Sequence, residues 1–445
     1  MSSSPSPSSA SSPSPAPSYA AVLRTPHACR TFGAALLGRL SYGMVSLSLV
    51  LATKEATDSY AIAGTVMALF ALTSVVLSPA RAGLVDRYGP RQALLPMASA
   101  YALALTALAF ATSRPDVSGA VLGFLAAVAG ACTPPLGPVM RTLWSDLLPD
   151  RRLLQRAYSL DAVAEELLFV AGPLMVGLLV SVAAAPVGLG VSAALVLTGS
   201  LALISSPAVT GWTHRRKAPS EPSPPTGSVP GAARRRLPLS TPGLRQAIVV
   251  SAAVGICLGA FELLVVAFAD DLGDPGAVAW VLAALCGGSA IGGLLYGALP
   301  WRASPRTRLA FLAAAMGLAL ATAGLSPHPY ALVVGAALGG LFIAPAITTA
   351  YLIADECAGP AARTRAGAWV NTAFNAGSAG ATAATGLLVG RLPLSLCFAL
   401  AAAPAVLSAA TALHRSRRPI PHESAPRGPG TCEVQMASRT PKGDV

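Results

Sequence analysis

The chain has 445 residues, 53% of them hydrophobic and 11% charged, with a formal net charge of +12 from 31 Lys and Arg against 19 Asp and Glu. Together with a mean hydropathy of +0.61, this excludes a water-soluble chain of such length and implies an integral membrane protein. In that setting the positive charge reports topology, and no nucleic-acid partner is expected.

Residues 1–25 are almost wholly Ser, Pro and Ala, a composition expected to be a disordered tail without helix. No charged, then apolar, then small-residue order precedes Arg24, so no signal peptide is expected and the first apolar stretch is read as a membrane anchor. Twelve apolar windows follow, near 31–52, 59–80, 92–113, 117–140, 157–183, 187–207, 245–269, 276–299, 307–325, 329–354, 366–390 and 393–413. Each suits a span of about 20 residues. The stretch from 157 to 207, broken by Ala185-Pro186, is too long for one span and is read as two helices with a tight turn.

An even number of spans puts both tails on one side. With that side cytoplasmic, 27 Lys and Arg fall in the tails and alternate loops, three (Lys54, Arg114, Arg391) lie opposite, and Arg39 lies in a helix. The positive-inside rule therefore favours cytoplasmic termini in a multi-pass protein of the cell membrane. The domains expected are a six-helix bundle over 26–207, a basic cytoplasmic loop over 208–242, a second six-helix bundle over 243–413 and a disordered cytoplasmic tail over 414–445. The loop carries His214-Arg215-Arg216-Lys217 and Arg234-Arg235-Arg236.

The two halves repeat. An offset of 210 lays Ala82-Gly83 on Gly292-Gly293, Gly130 on Gly340, Pro135 on Pro345, Asp161 on Asn371 and Glu165 on Asn375. Such internal repeats are common in transporters.

Between the second and third windows the chain reads Arg81-Ala82-Gly83-Leu84-Val85-Asp86-Arg87-Tyr88-Gly89-Pro90-Arg91. Glycine permits a tight turn, and an aspartate there can face a helix N-terminus. The segment resembles the signature loop of the major facilitator superfamily, with Gly83, Asp86, Arg87, Gly89 and Arg91 near or on its pattern and Ala82 and Pro90 departing from it. The resemblance implies a cytoplasmic latch between halves. In the second half the counterpart, Gly292 to Gly297, keeps glycines and loses the acid.

Window five contains Ala171-Gly172-Pro173-Leu174-Met175-Val176-Gly177, which looks like the Gly-Pro motif of that superfamily's drug:proton antiporter branch. Gly172, Pro173 and Gly177 can serve a gate, or only close packing and a bend. That branch often carries an arginine in helix four. Here Gly123 to Pro138 contains none, and Arg141 falls at the cytoplasmic end of its window.

Ionisable groups inside spans cost about 2.5–3.5 kcal/mol each on insertion scales, and so mark candidate sites. Arg39 lies nine residues from Arg30 and Glu165 nine from Arg156, both about 13 Å deep at about 1.5 Å per residue. Asp161 shares a face with Glu165, while Glu166 points about 100° away. Arg39 is expected to pair with Glu165 or Asp161. Arg39, Asp161, Glu165 and Glu166 are the proton-coupling candidates, with neutral packing the alternative for the pair. Glu262, in the outer third of the seventh span, can bind a cationic group or a proton, or reach the outer interface. Asn371 and Asn375, with Trp369 and Phe374 nearby, can contact substrate or bond between helices.

The seven cysteines contain no C-x-x-C pair, and no Walker loop, H-E-x-x-H or nucleophile elbow occurs, so no disulfide framework, metal, cofactor or enzyme activity is expected. The expectation is an all-α membrane protein with twelve transmembrane helices in two pseudo-symmetric bundles, the major facilitator fold. Function follows as a secondary active transporter exporting a small organic molecule in exchange for protons. Alternatives are proton-coupled uptake, facilitated diffusion, and a non-transporting receptor or scaffold. The expected partners are the small-molecule substrate, protons and the lipid bilayer, and the protein is expected to be a monomer.

Overall fold

The structure, a computed structural model, describes residues 18–114, 117–210, 241–272, 276–326 and 328–417. Most of the N-terminal tail, nearly all of the basic loop and the C-terminal tail beyond 417 lie outside the described residues. The first half comprises α1 (Tyr19–Arg24), α2 (Ala28–Thr57), α3 (Tyr60–Tyr88), α4 (Pro90–Thr112), α5 (Gly119–Cys132), α6 (Leu136–Leu147), α7 (Arg151–Val180) and α8 (Pro186–Ile204). The second comprises α9 (Pro242–Leu272), α10 (Gly276–Ala298), α11 (Pro305–Ala323), α12 (Pro329–Gly340), α13 (Ile343–Cys357), α14 (Arg363–Leu388) and α15 (Leu394–Arg417).

Among the described residues, eleven helical stretches are long and apolar enough to cross a membrane. Two of them, Gly119–Leu147 and Pro329–Cys357, are the broken pairs α5–α6 and α12–α13. The remaining window is α14, 26 residues long, whose Arg, Asn, Thr, Ser and Gly content keeps its hydropathy low. With it the spans number six in each half. One face of α14 packs closely on α9, where a Cβ on Gly255, Gly259 or Gly377 would strike the α9–α14 contact. Close approach of small residues is what drives helix association in lipid.

The two broken spans show the repeat in three dimensions. Pro134 and Pro135 interrupt the first because proline lacks an N–H to continue the helix. The Tyr42 hydroxyl, from α2, donates to the carbonyl of Pro134 at the break. In the second half the break falls at Leu341-Phe342, and Pro345 sits in the first turn of α13. There Ser289 of α10 accepts the Ala344 backbone N–H at 3.1 Å.

Three expectations change. The signature segment is mostly helix: α3 runs on to Tyr88, and Gly89 alone separates it from α4, with φ 88° and ψ 159°. That backbone geometry needs a glycine. The tail expected to carry no helix has a short one at its end, where Ser18 caps Tyr19–Arg24 and the Tyr19 hydroxyl donates to the Leu294 carbonyl in the other half. Arg141 belongs to the interior of its span, because α6 continues past the apolar window to Leu147.

Helix α7 lies against α2 with backbones nearly touching. A Cβ on Gly172 would collide with the Gly43 backbone, and one on Gly43 with the Leu168 carbonyl, while nothing lies within 4 Å of a Cβ on Gly177. Gly172→Val should therefore force α2 and α7 apart and destabilise the protein by about 1–3 kcal/mol, as overpacking does. Gly177→Ala should leave stability unchanged. Melting of the two purified variants in detergent separates the cases.

Candidate functional site

Four charged side chains meet where α2, α6 and α7 converge. Asp161 is fully buried and binds Arg39 Nη1 at 2.6 Å and Arg141 Nε at 3.0 Å. Glu165, one turn further along α7, binds Arg39 Nη2 at 2.9 Å and also Arg141. The expected pairing of Arg39 is thus with both carboxylates at once. Two guanidinium and two carboxylate groups leave no net charge, which a low-dielectric interior requires. The cluster is not uniform: the Asp161 side chain is 0% exposed and that of Glu165 is 29%.

Arg141 carries this cluster to the second half. Its guanidinium stacks over the Tyr351 ring, 3.7 Å from the centroid, a favourable cation–π contact. Tyr351 in turn donates to Asn371 Oδ1 at 3.2 Å, and Asn375 Nδ2 donates to the Asn371 carbonyl at 2.8 Å. Asn371 therefore bonds between helices and Asn375 within its own. Trp369 and Phe374 are half-buried nearby on α14. Neither Arg141 nor Tyr351 was among the expected site residues, yet the offset of 210 lays one on the other. The repeat thus relates Arg141, Asp161 and Glu165 to Tyr351, Asn371 and Asn375.

Glu166 faces away from the cluster, as the helical angle predicts. It accepts a hydrogen bond from Ser289 of α10, across the interface, and its Oε2 has no hydrogen-bond partner. Cys286, one turn before Ser289, lies within electrostatic reach of both Glu166 and Glu262. Glu262 is an exposed residue on α9.

The signature residues lie at the end of the bundle where α3 meets α4. Asp86 is buried and accepts the backbone N–H groups of Thr364 at 3.3 Å and Arg365 at 2.9 Å. These open α14, whose own N-cap, Ala362, has no side-chain oxygen to offer. Asp86 therefore caps a helix of the opposite half and faces the positive end of its dipole. Gly83 packs against the Arg365 side chain, while Arg87 and Arg91 are exposed. In the second half Tyr296 stands at the position of Asp86. Helix α7 needs no acid from there, because Asp150 caps it by accepting the Arg152 N–H at 2.8 Å.

The complementary contact has reversed polarity. From α7, Gln155 donates to the Tyr296 carbonyl at 2.8 Å, and Arg156 donates to those of Gly297 at 3.0 Å and Ala298 at 3.1 Å. A cation thus meets the negative end of α10. Arg363 adds a bridge between Asp146 at 3.3 Å and Asp355 at 3.4 Å, and Arg151 pairs with Glu356. Polar links between the halves gather at this end.

The sequence profile of the Major Facilitator Superfamily matches residues 31–299 and 247–441. The chain belongs to the major facilitator superfamily, a family of transporters of small molecules and not of enzymes. No curated protein matches the sequence. Among solved structures, a bacterial homologue of the iron transporter ferroportin in an outward-facing state is similar, with a TM-score of 0.68 at 13% identity over 88% of this chain and 99% of that one. The human organic anion transporter MFSD10 gives 0.63 at 15% identity over 89% and 100%. The transporter FucP in its outward conformation gives 0.60 at 13% over 88% and 99%. At these identities the likeness is one of fold.

Two stability tests follow. Asp161→Asn leaves two buried guanidinium groups with one carboxylate and should cost about 3–5 kcal/mol, whereas Glu165→Gln, closer to water, should cost less. Melting temperatures in detergent should rank the two in that order. Asp86→Ala, which removes the cap on α14, should cost about 1 kcal/mol, and Asp86→Asn less because its amide oxygen still accepts an N–H.

Proposed function

We propose that this transporter exports a small organic molecule in exchange for protons, by rocking of the two halves about a central site. The observation that carries the reading is Glu165. It is shared by Arg39 and Arg141, is the more exposed carboxylate of the cluster, and sits one contact away from Tyr351 of the other half. Asp161 anchors both arginines when Glu165 changes state. A proton arriving at Glu165 removes the charge that holds the two guanidinium groups on that side, and the freed attraction loosens Arg141 from its place over Tyr351. Loss of the proton restores the contact. Transport therefore acquires a titratable group at the seam that moves.

Export is favoured by the resemblance of Ala171 to Gly177 to the Gly-Pro motif of the drug:proton antiporter branch. With both termini in the cytoplasm of a plasma-membrane protein, as the placement of Lys and Arg favours, the end latched by Asp86 is the cytoplasmic one. The state described is then outward-facing. Gly83, Asp86, Arg87, Gly89 and Arg91 act as its gate, and Gly172 and Pro173 fix the α2–α7 contact behind the cluster. Glu166 and Glu262 supply negative charge to the substrate path, and Asn371, Asn375, Trp369 and Phe374 supply polar and aromatic contacts from the second half. The working unit is a single chain.

The test uses everted vesicles with an imposed proton gradient and a panel of amphipathic amines and organic acids. At least one compound should dissipate the gradient with native protein, and Glu165→Gln should abolish the response while the protein remains folded. Undiminished exchange in that variant would sink the coupling role. Protons moving in the same direction as the compound would establish uptake, and compound movement without pH dependence would establish facilitated diffusion.

A further inference from the structure

A cavity opens at the Asp86 end of the bundle, away from the charged cluster. It has a volume of about 610 Å³ and lies between the first turns of α7 and the segment joining α10 to α11. Five arginines line it: Arg151, Arg152 and Arg156 from the first half, and Arg302 and Arg308 from the second. Against them the described lining sets one carboxylate, Glu356, which already pairs with Arg151.

Two of these arginines are deeply set. Arg156 is 7% exposed and Arg308 is 9% exposed, and each is held by neutral groups. Arg156 donates to the carbonyls of Gly297 and Ala298, and Arg308 donates to Gln155 Oε1 at 3.1 Å while its guanidinium faces the Tyr296 and Trp301 rings. Arg156 Nη1 and Arg308 Nε have no hydrogen-bond partner. A buried cation without a counter-charge is costly, and here two flank one cavity. Arg152 and Arg302, both exposed, stand at its mouth.

We propose that this cavity binds a phosphate-bearing anion, with Arg156 and Arg308 as the deep charges and Arg152 and Arg302 as the outer ones. Guanidinium groups match phosphate oxygens in geometry and charge. The cavity sits where the spans α7 and α11 begin, and basic pockets between membrane helices are suited to anionic headgroups. Because the arginines come from both halves, a bound anion bridges the seam beside the Arg156 contact. This site is independent of the proton-coupling reading, since it shares no residue with the Arg39 cluster.

The test is binding to the full-length protein purified in a nonionic detergent. Dioleoylphosphatidylglycerol, dioleoylphosphatidylcholine and inorganic phosphate are titrated separately, with retention read by native mass spectrometry and melting temperature read in parallel. Saturable retention of phosphatidylglycerol, accompanied by a higher melting temperature, and no such effect from phosphatidylcholine, is the expected result. Inorganic phosphate that saturates alone and displaces the lipid would identify a soluble anion as the natural source, and failure to displace would identify the lipid. The decisive variant is Arg152→Gln with Arg302→Gln, both exposed and outside the Arg156 and Arg308 contacts. It should bind about tenfold or more weakly, given the contribution of each cation near an anionic group. Equal retention of the two lipids with no effect of phosphate, or unchanged affinity in the double variant, overturns the proposal. Arg308→Gln should abolish binding, and the double variant decides the matter if that protein fails to fold.

Discussion

Charge buried in a bilayer interior is costly unless it is paired, and that constraint acts on this molecule most strongly through one set of contacts. Asp161, with no exposed side-chain surface, is held by both Arg39 and Arg141, and a buried acid stripped of either partner is costly. Arg39 comes from α2, Arg141 from α6 and the acids from α7, so satisfying one carboxylate sets the relative positions of three helices. The Gly172–Gly43 contact is what lets them come close enough. Packing and electrostatics here are a single requirement: widening the α2–α7 approach would strip Asp161 of a partner.

The duplicated architecture gives this requirement its direction. A symmetric pair of halves would place equivalent charges on both sides of the pseudo-two-fold, where the like-charged arginines would face one another. The chain instead substitutes Tyr351 for the second arginine and Asn371 and Asn375 for the second pair of acids. A cation therefore meets an aromatic face at the axis. The same breaking of symmetry recurs at the Asp86 end. Asp86 caps α14 across the seam because Ala362 cannot, while Asp150 caps α7 within its own half and leaves Tyr296 free of that duty. Where the acid is lost, Arg156 meets the opposite pole of a helix.

The spans are legible in the sequence because burial in a bilayer demands long apolar runs. The window at 59–80 differs from α3, Tyr60–Tyr88, chiefly where the helix continues into polar residues at the membrane surface. That difference hides function. Arg141 ends an apolar window by virtue of its own charge, so hydropathy puts it outside the span, although α6 continues for six more residues to Leu147. Arg39 and Asp161 are found because their neighbours are apolar on both sides. Tyr351 gives no hydropathy signal, being one aromatic residue in a buried helix, and only its register with Arg141 distinguishes it. The helix end that Asp86 caps is 278 residues away, and a single sequence contains no measure of that proximity. Ser289, the partner of Glu166, is hidden for the same reason.

The contacts divide by how readily they can be broken, and this bears directly on rocking as the proposed motion. Within each half the helices meet backbone to backbone, at Gly172 against Gly43 and at Gly255 against Phe374, where no lateral movement fits. Across the seam several links are caps and part-exposed ion pairs: Asp86 to the start of α14 and Arg363 to Asp146. Each joins groups that water satisfies once the end opens, so parting them costs about 1 kcal/mol apiece and not the larger penalty of a stranded buried charge. Other links across the seam are neither caps nor exposed ion pairs: Arg156 on the α10 carbonyls, Glu166 with Ser289, and Arg141 over Tyr351. Opening the latched end without also changing the charge around Arg141 would leave that guanidinium less well covered, while protonating Glu165 would release Arg141 to follow its carboxylate Asp161. Under the proposed mechanism, the order of events is thereby constrained: the deep contact loosens first, and the shallow caps yield afterwards.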